Sequence, residues 1–130
     1  MNFLAVVVAA FASFAFGAVW YMTLSKQWME AAGIKADANG RPEGDTMVPY
    51  ITALVAMILV SGMMRHIFGL SGIETFGKGL VYGFSIGLFF ISPWIMINNG
   101  YTSRPFKLTL IDSGYATFGC AIIGAILTLF

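Results

Sequence analysis

Long uncharged apolar runs alternate with short polar stretches along this chain. The first run extends from about Phe3 to Leu24 and contains no charged residue. At 1.5 Å rise per residue it is roughly 33 Å long as a helix, enough to cross a hydrocarbon core of about 30 Å. Trp20 and Tyr21 mark its far end, where aromatic rings with polar tips favour the membrane interface. A polar connection follows over 25–46 and carries Lys26, Glu30, Lys35, Asp37, Arg41, Glu43 and Asp45. Within it, Gln27–Ala32 reads as a short interfacial helix ended by Gly33, and Asn39-Gly40 and Arg41-Pro42 read as turns.

The second run spans 47–64, with Thr46 as a cap, Pro49 in the first turn, and Arg65 and His66 at its end. A loop over 65–78 leads to the third run, 79–97, where Pro93 predicts a kink near Phe89 or Phe90. After a short polar segment, Asn98 to Arg104, Pro105 opens the fourth run, 105–130. Continuous runs favour helices over barrel strands, which would alternate in segments of roughly ten residues. The predicted architecture is all-α, an integral membrane four-helix bundle in a single transmembrane domain over 1–130.

Composition agrees with lipid as the outer solvent. Of the 130 residues, 58 % are apolar and only 10 % are charged, and the mean hydropathy is +0.83. Soluble domains carry about 25 % charged residues. A chain this small has too much surface to hide that apolar fraction from water. The net charge of +1 and the missing basic stripe give no signal for nucleic acid. The N-terminus has no basic n-region, so the first run is expected to be a retained helix and not a cleaved signal peptide.

Four spans place both ends of the domain on one side and the first and third loops on the other. That loop side holds Lys26, Lys35, Arg41, Arg104 and Lys107, against Arg65 and Lys78 on the termini side. The positive-inside rule then puts the first and third loops in the cytoplasm and the termini outside it.

Small residues recur at every fourth position. Ala5, Ala9, Ser13 and Gly17 form one stripe; Gly79, Gly83 and Gly87 a second; Ala116, Cys120 and Gly124 a third. In lipid such stripes let helix backbones approach and pack. They serve either the bundle itself or contact with another chain. Cys120, the only cysteine, reads as a buried small hydrophobe.

Polar residues of the spans gather at the predicted cytoplasmic ends: Tyr21, Tyr50, Asn98, Asn99, Tyr101, Arg104, Asp112 and Tyr115. Asp112 lies five residues after Lys107, at a depth of about 6–8 Å. An acid there seeks a partner among Arg104, Lys107, Asn98, Tyr21 and Tyr50, and either pins helices together or holds a proton or ligand. A lone histidine, His66, makes no metal site, and phosphate-loop, nucleophile-elbow and metalloprotease motifs are missing. Neither a metal nor a cofactor is expected.

The C-terminal half carries Asn98-Asn99-Gly100-Tyr101, Arg104-Pro105 and Leu110-Ile111-Asp112-Ser113-Gly114-Tyr115. The first half carries Met1-Asn2-Phe3-Leu4, Gly17-Ala18-Val19-Trp20-Tyr21, Trp28-Met29 and Ala32-Gly33. Together these resemble the signature of a bacterial membrane family known only as domain of unknown function 1761. The resemblance covers nearly the whole chain. It implies a four-span protein of the bacterial inner membrane and supplies neither activity nor catalytic residues.

Three functions remain, in this order. The first is a non-enzymatic subunit, self-associating or accessory to a larger membrane complex. The second is a small oligomeric transporter or channel. The third is an enzyme acting on a lipid or quinone through Asp112, Tyr115, Asn98 and Arg104, a set without a nucleophile–base pair.

Overall fold

The computed structural model describes residues 3–44 and 46–130. Met1-Asn2 of the family-like opening and Asp45 of the polar connection lie outside the described residues. The elements are α1 (Phe3–Thr23), α2 (Ser25–Ala32), α3 (Val48–Ser71), α4 (Phe76–Ile86), a π-helical turn (Gly87–Ile91), α5 (Ser92–Tyr101) and α6 (Phe106–Leu127). Among the described residues the only extended pairing is an isolated bridge between Ala36 and Pro42. Four helical stretches are long and apolar enough to cross a membrane: Phe3–Thr23, Val48–Ser71, Phe76–Tyr101 and Phe106–Leu127. The chain is an all-α, multi-pass membrane protein.

The helix ends follow backbone chemistry more than charge. α3 runs through Arg65 and His66 to Ser71, a full two turns past the expected end at 64. Charged residues mark where lipid gives way to water, but they do not terminate a helix. Gly72 does, in a left-handed conformation (φ 70°) that a glycine adopts without strain. At the other end Met47 is the N-cap with no side-chain cap, so Thr46 does not take the expected role. α4 begins earlier than expected, at Phe76, because the Thr75 side chain accepts from the Lys78 backbone N–H at 3.3 Å.

The kink expected near Phe89 or Phe90 takes a specific form. Pro93 lacks an N–H and its ring would strike the carbonyl one turn back. The chain absorbs this with the π-helical turn over Gly87–Ile91. There the Ser92 N–H reaches back to the Gly87 carbonyl, and Ser92 Oγ donates to the same oxygen at 2.7 Å. The helix then continues to Tyr101, so Asn98 and Asn99 are helical and not part of a loop as expected.

α6 is the axis of the fold. Half of its apolar window is buried, against 33 % for α1 and 17 % for both α3 and the α4–α5 rod. α4 and α5 pack on one flank of α6, α1 on the other, and α3 on the outer side of α1. The bundle is therefore an open row, α3–α1–α6–α4, in which α3 packs mainly on α1 and also touches α6. α3 and α4 are joined by only 72–75, yet they do not pack along each other. The core lies where α1 and α4 begin and α3 and α6 end, and is formed by Ala5, Val6, Ala9, Met64, Phe68, Ile73, Cys120, Ile123 and Leu127.

Candidate functional site

The opposite end holds most of the polar residues. α1 ends there, α6 begins there, and α2 turns across both. Tyr21 sits in the last turn of α1 and Asp112 in the second turn of α6. The Tyr21 hydroxyl donates to Asp112 Oδ1 at 2.6 Å, a length typical of a charge-assisted O–H···O bond. One residue earlier, Trp20 Nε1 donates to the Ile111 carbonyl at 2.9 Å. The Trp20 ring lies over Gly114, where a Cβ would overlap it. Two successive residues of α1 thus clasp two successive residues of α6.

Tyr115, one turn below Asp112, continues the contact toward the membrane interior. Its ring meets that of Tyr21 edge-on at 5.5 Å between centroids and stacks on Phe16 at 6.1 Å. Gly17 leaves the room this ring needs. The Tyr115 hydroxyl is placed to donate to the Ser13 carbonyl (3.3 Å) or to Met57 Sδ (3.4 Å), and Ser13 Oγ donates to the same sulfur at 3.5 Å. Above the pair, Trp28 of α2 meets Tyr21 edge-on at 5.9 Å, with Met29 and Ala31 buried beneath the same helix.

The remaining polar residues divide. Asn99 Nδ2 donates to Thr109 Oγ1 at 3.1 Å and ties α5 to α6. Asn98 is exposed, and its carbonyl accepts from the Thr102 N–H and hydroxyl at the helix end. Tyr101 is 88 % exposed and Tyr50 46 %. Among the described residues Asp112 takes its hydrogen bond from Tyr21, and not from Arg104, Lys107, Asn98 or Tyr50. Tyr50, Tyr101, Asn98 and Arg104 therefore do not join the Asp112 cluster through hydrogen bonds. Long or exposed side chains at this depth turn to the interface, which costs less than burial.

The small residues form a seam on the other flank of α6. A Cβ at Gly79 would overlap the Gly124 carbonyl, one at Gly83 the Cys120 carbonyl, and one at Gly87 the Ala116 carbonyl. Two of the predicted stripes are thus one antiparallel interface within the chain. In the first stripe, Ala5, Ala9 and Ser13 are fully buried, and Gly17 faces Tyr115.

Sequence reasoning missed three features. The Trp20–Ile111 bond uses a backbone acceptor, which carries no residue signature. Met57 as an acceptor for two hydroxyls depends on α3 lying against α1. The third is a hydroxyl cluster beside the π turn, where Ser92 Oγ lies 3.4 Å from Thr117 Oγ1 and Ser113 Oγ is buried with no partner. Its only sequence signal was the proximity of Ser92 to Pro93.

Chemically, the Asp112–Tyr21 pair can hold one proton and fasten two helices. Among the described residues no three His, Cys, Asp or Glu side chains come together. Residues 4–128 match the profile of the family described as protein of unknown function (DUF1761). The chain belongs to this family. No curated protein and no solved structure matches it.

Proposed function

We propose that this DUF1761 protein is a non-enzymatic subunit in the bacterial inner membrane, self-associating or accessory to a larger membrane complex. One observation carries the reading. The polar groups best able to do chemistry, Asp112, Tyr21, Tyr115 and Asn99, are committed to bonds between helices. Such a girdle fixes helix order and leaves the apolar outer faces for association. Extraction in mild detergent, followed by mass measurement and identification of co-purifying proteins, tests it. A complex of more than one chain is expected. A monodisperse single chain with no companion would overturn it.

The loop charges support termini outside the cytoplasm. A reporter active only outside the cytoplasm should work at the C-terminus and fail near Asn39. The reverse pattern would invert the orientation.

One feature favours a small oligomeric transporter as the second reading. The π turn of the continuous α4–α5 rod brings Ser92, Thr117 and the unpartnered Ser113 hydroxyl together beside Pro93 in mid-span, and π turns inside helices are frequent at functional sites. Solute flux into proteoliposomes, abolished by Ser113→Leu with the fold retained, would favour it over the subunit reading.

A further inference from the structure

At the end of the fold away from Asp112, α3 and α4 diverge from the loop at Gly72-Ile73 and leave a cleft of about 500 Å³ between them. That volume is within the 300–1,000 Å³ range of small-molecule sites. The α4 wall is ordered. Lys78, Tyr82, Ser85 and Phe89 all line the cleft. Their spacings of four, three and four residues place them on one face of the rod. Going inward, that face presents an ammonium, a phenol, a hydroxyl and a phenyl ring. Polarity falls in the same direction as it does through a membrane leaflet.

Three further observations define the occupant. First, from Lys78 to Phe89 the rod covers roughly 16 Å, about half of a hydrocarbon core of about 30 Å and so one leaflet. Second, Lys78 makes no ion pair among the described residues; Glu74 is exposed in the loop and does not line the cleft. Third, the walls carry large side chains, Ile67, Tyr82, Phe89 and Phe90. These hold apart any helix backbone that tried to enter, whereas helix pairing in lipid uses small residues. A flexible acyl chain fits between large side chains that a rigid helix cannot pass.

We propose that the α3–α4 cleft is a binding site for one anionic phospholipid of the leaflet on the loop-two side, its phosphate at Lys78 and an acyl chain along Tyr82, Ser85 and Phe89. The site is independent of the proposed subunit role and persists if that role fails. Ser85 Oγ is already engaged with the Val81 carbonyl at 2.8 Å, so it lines the chain without demanding a partner.

Native mass spectrometry of the whole protein, released from detergent with either phosphatidylglycerol or phosphatidylcholine added, tests this. The parent should retain one phosphatidylglycerol in preference to phosphatidylcholine. Lys78→Gln should weaken phosphatidylglycerol retention about five-fold, the equivalent of about 1 kcal/mol for one basic residue at an anionic surface. Lys107→Gln, a cation at the opposite end of the fold, should leave it unchanged. Ser85→Trp keeps Lys78 but fills the cleft, so it should abolish retention of both lipids while thermal unfolding confirms that the chain is folded. If Lys78→Gln and Lys107→Gln behave alike, or if the parent retains both lipids equally, the site is overturned. A dimer free of lipid adducts would also overturn it, and would give the cleft to a second copy.

Discussion

The two flanks of α6 face the same problem and solve it differently. Helices in a membrane gain little by trading lipid contact for protein contact, because both are apolar. On the α4 flank the solution is the removal of side chains: Gly79, Gly83 and Gly87 set the rod directly against the backbone at Gly124, Cys120 and Ala116. On the α1 flank the solution is directional: Tyr21 to Asp112, Trp20 to Ile111, and Tyr115 to Ser13 and Met57. The first flank depends on many weak dispersion contacts that all require one close approach. The second depends on separate bonds, each removable alone. The glycine flank should therefore fail abruptly under substitution and the polar flank gradually.

The largest effect is expected from Gly83→Leu. Its Cβ has nowhere to go but into the Cys120 carbonyl, and backbone cannot yield as a flexible side chain can. Even Gly83→Ala should cost about 1–3 kcal/mol, as overpacking of a tight core does. Gly83→Leu should leave little folded protein by thermal unfolding and size measurement in detergent. If Gly83→Leu unfolds like the parent, the close approach of α4 and α6 is wrong and the contrast between the flanks collapses.

Next is Asp112→Leu, which leaves the Tyr21 hydroxyl without its acceptor. A loss of about 1–2 kcal/mol is expected, at the upper end for hydrogen bonds between helices in membranes. Asp112→Asn keeps an acceptor oxygen and should stay close to the parent. Equal damage from both would mean that the charge itself matters, and would move Asp112 from fastener to functional acid. Ser61→Ala should cost less, about 0.6 kcal/mol, since it removes a single bond from Ser61 Oγ to the Val6 carbonyl between α3 and α1. A loss several times larger would show that the α1–α3 seam is as cooperative as the glycine seam. Leu88→Ala, at a position 37 % exposed, trims a side chain without forcing any backbone apart and should cost far less than Gly83→Leu. It is the baseline for the other three.

The amino-acid sequence determined the solvent of this protein, its all-α class and the places where it crosses the membrane. These follow from the lengths of uncharged runs, a local property that lipid reads one segment at a time. The sequence also marked Asp112 as needing a partner and included Tyr21 among the choices, because the cost of an unpaired acid in lipid does not depend on which helix relieves it. The small-residue periodicity was equally legible, yet it could not say whether another helix of this chain or a second chain would occupy each stripe.

Tertiary structure decided the pairings. Tyr21 reaches Asp112 only because α1 lies beside α6, whereas α3 packs mainly on α1 and Tyr50, in its first turn, is not bonded to Asp112. The Trp20 bond went unseen because its acceptor is a carbonyl, present at every residue. The helix ends moved because Gly72 and Thr75 act through backbone conformation and capping, while charge merely reports the membrane boundary. The cleft between α3 and α4 had no counterpart in the sequence at all. Lys78, Tyr82, Ser85 and Phe89 form a graded wall only when the neighbouring helix stands away from them, and helix order in a row is set by contacts between segments distant in sequence, where no local pattern of apolar residues carries information.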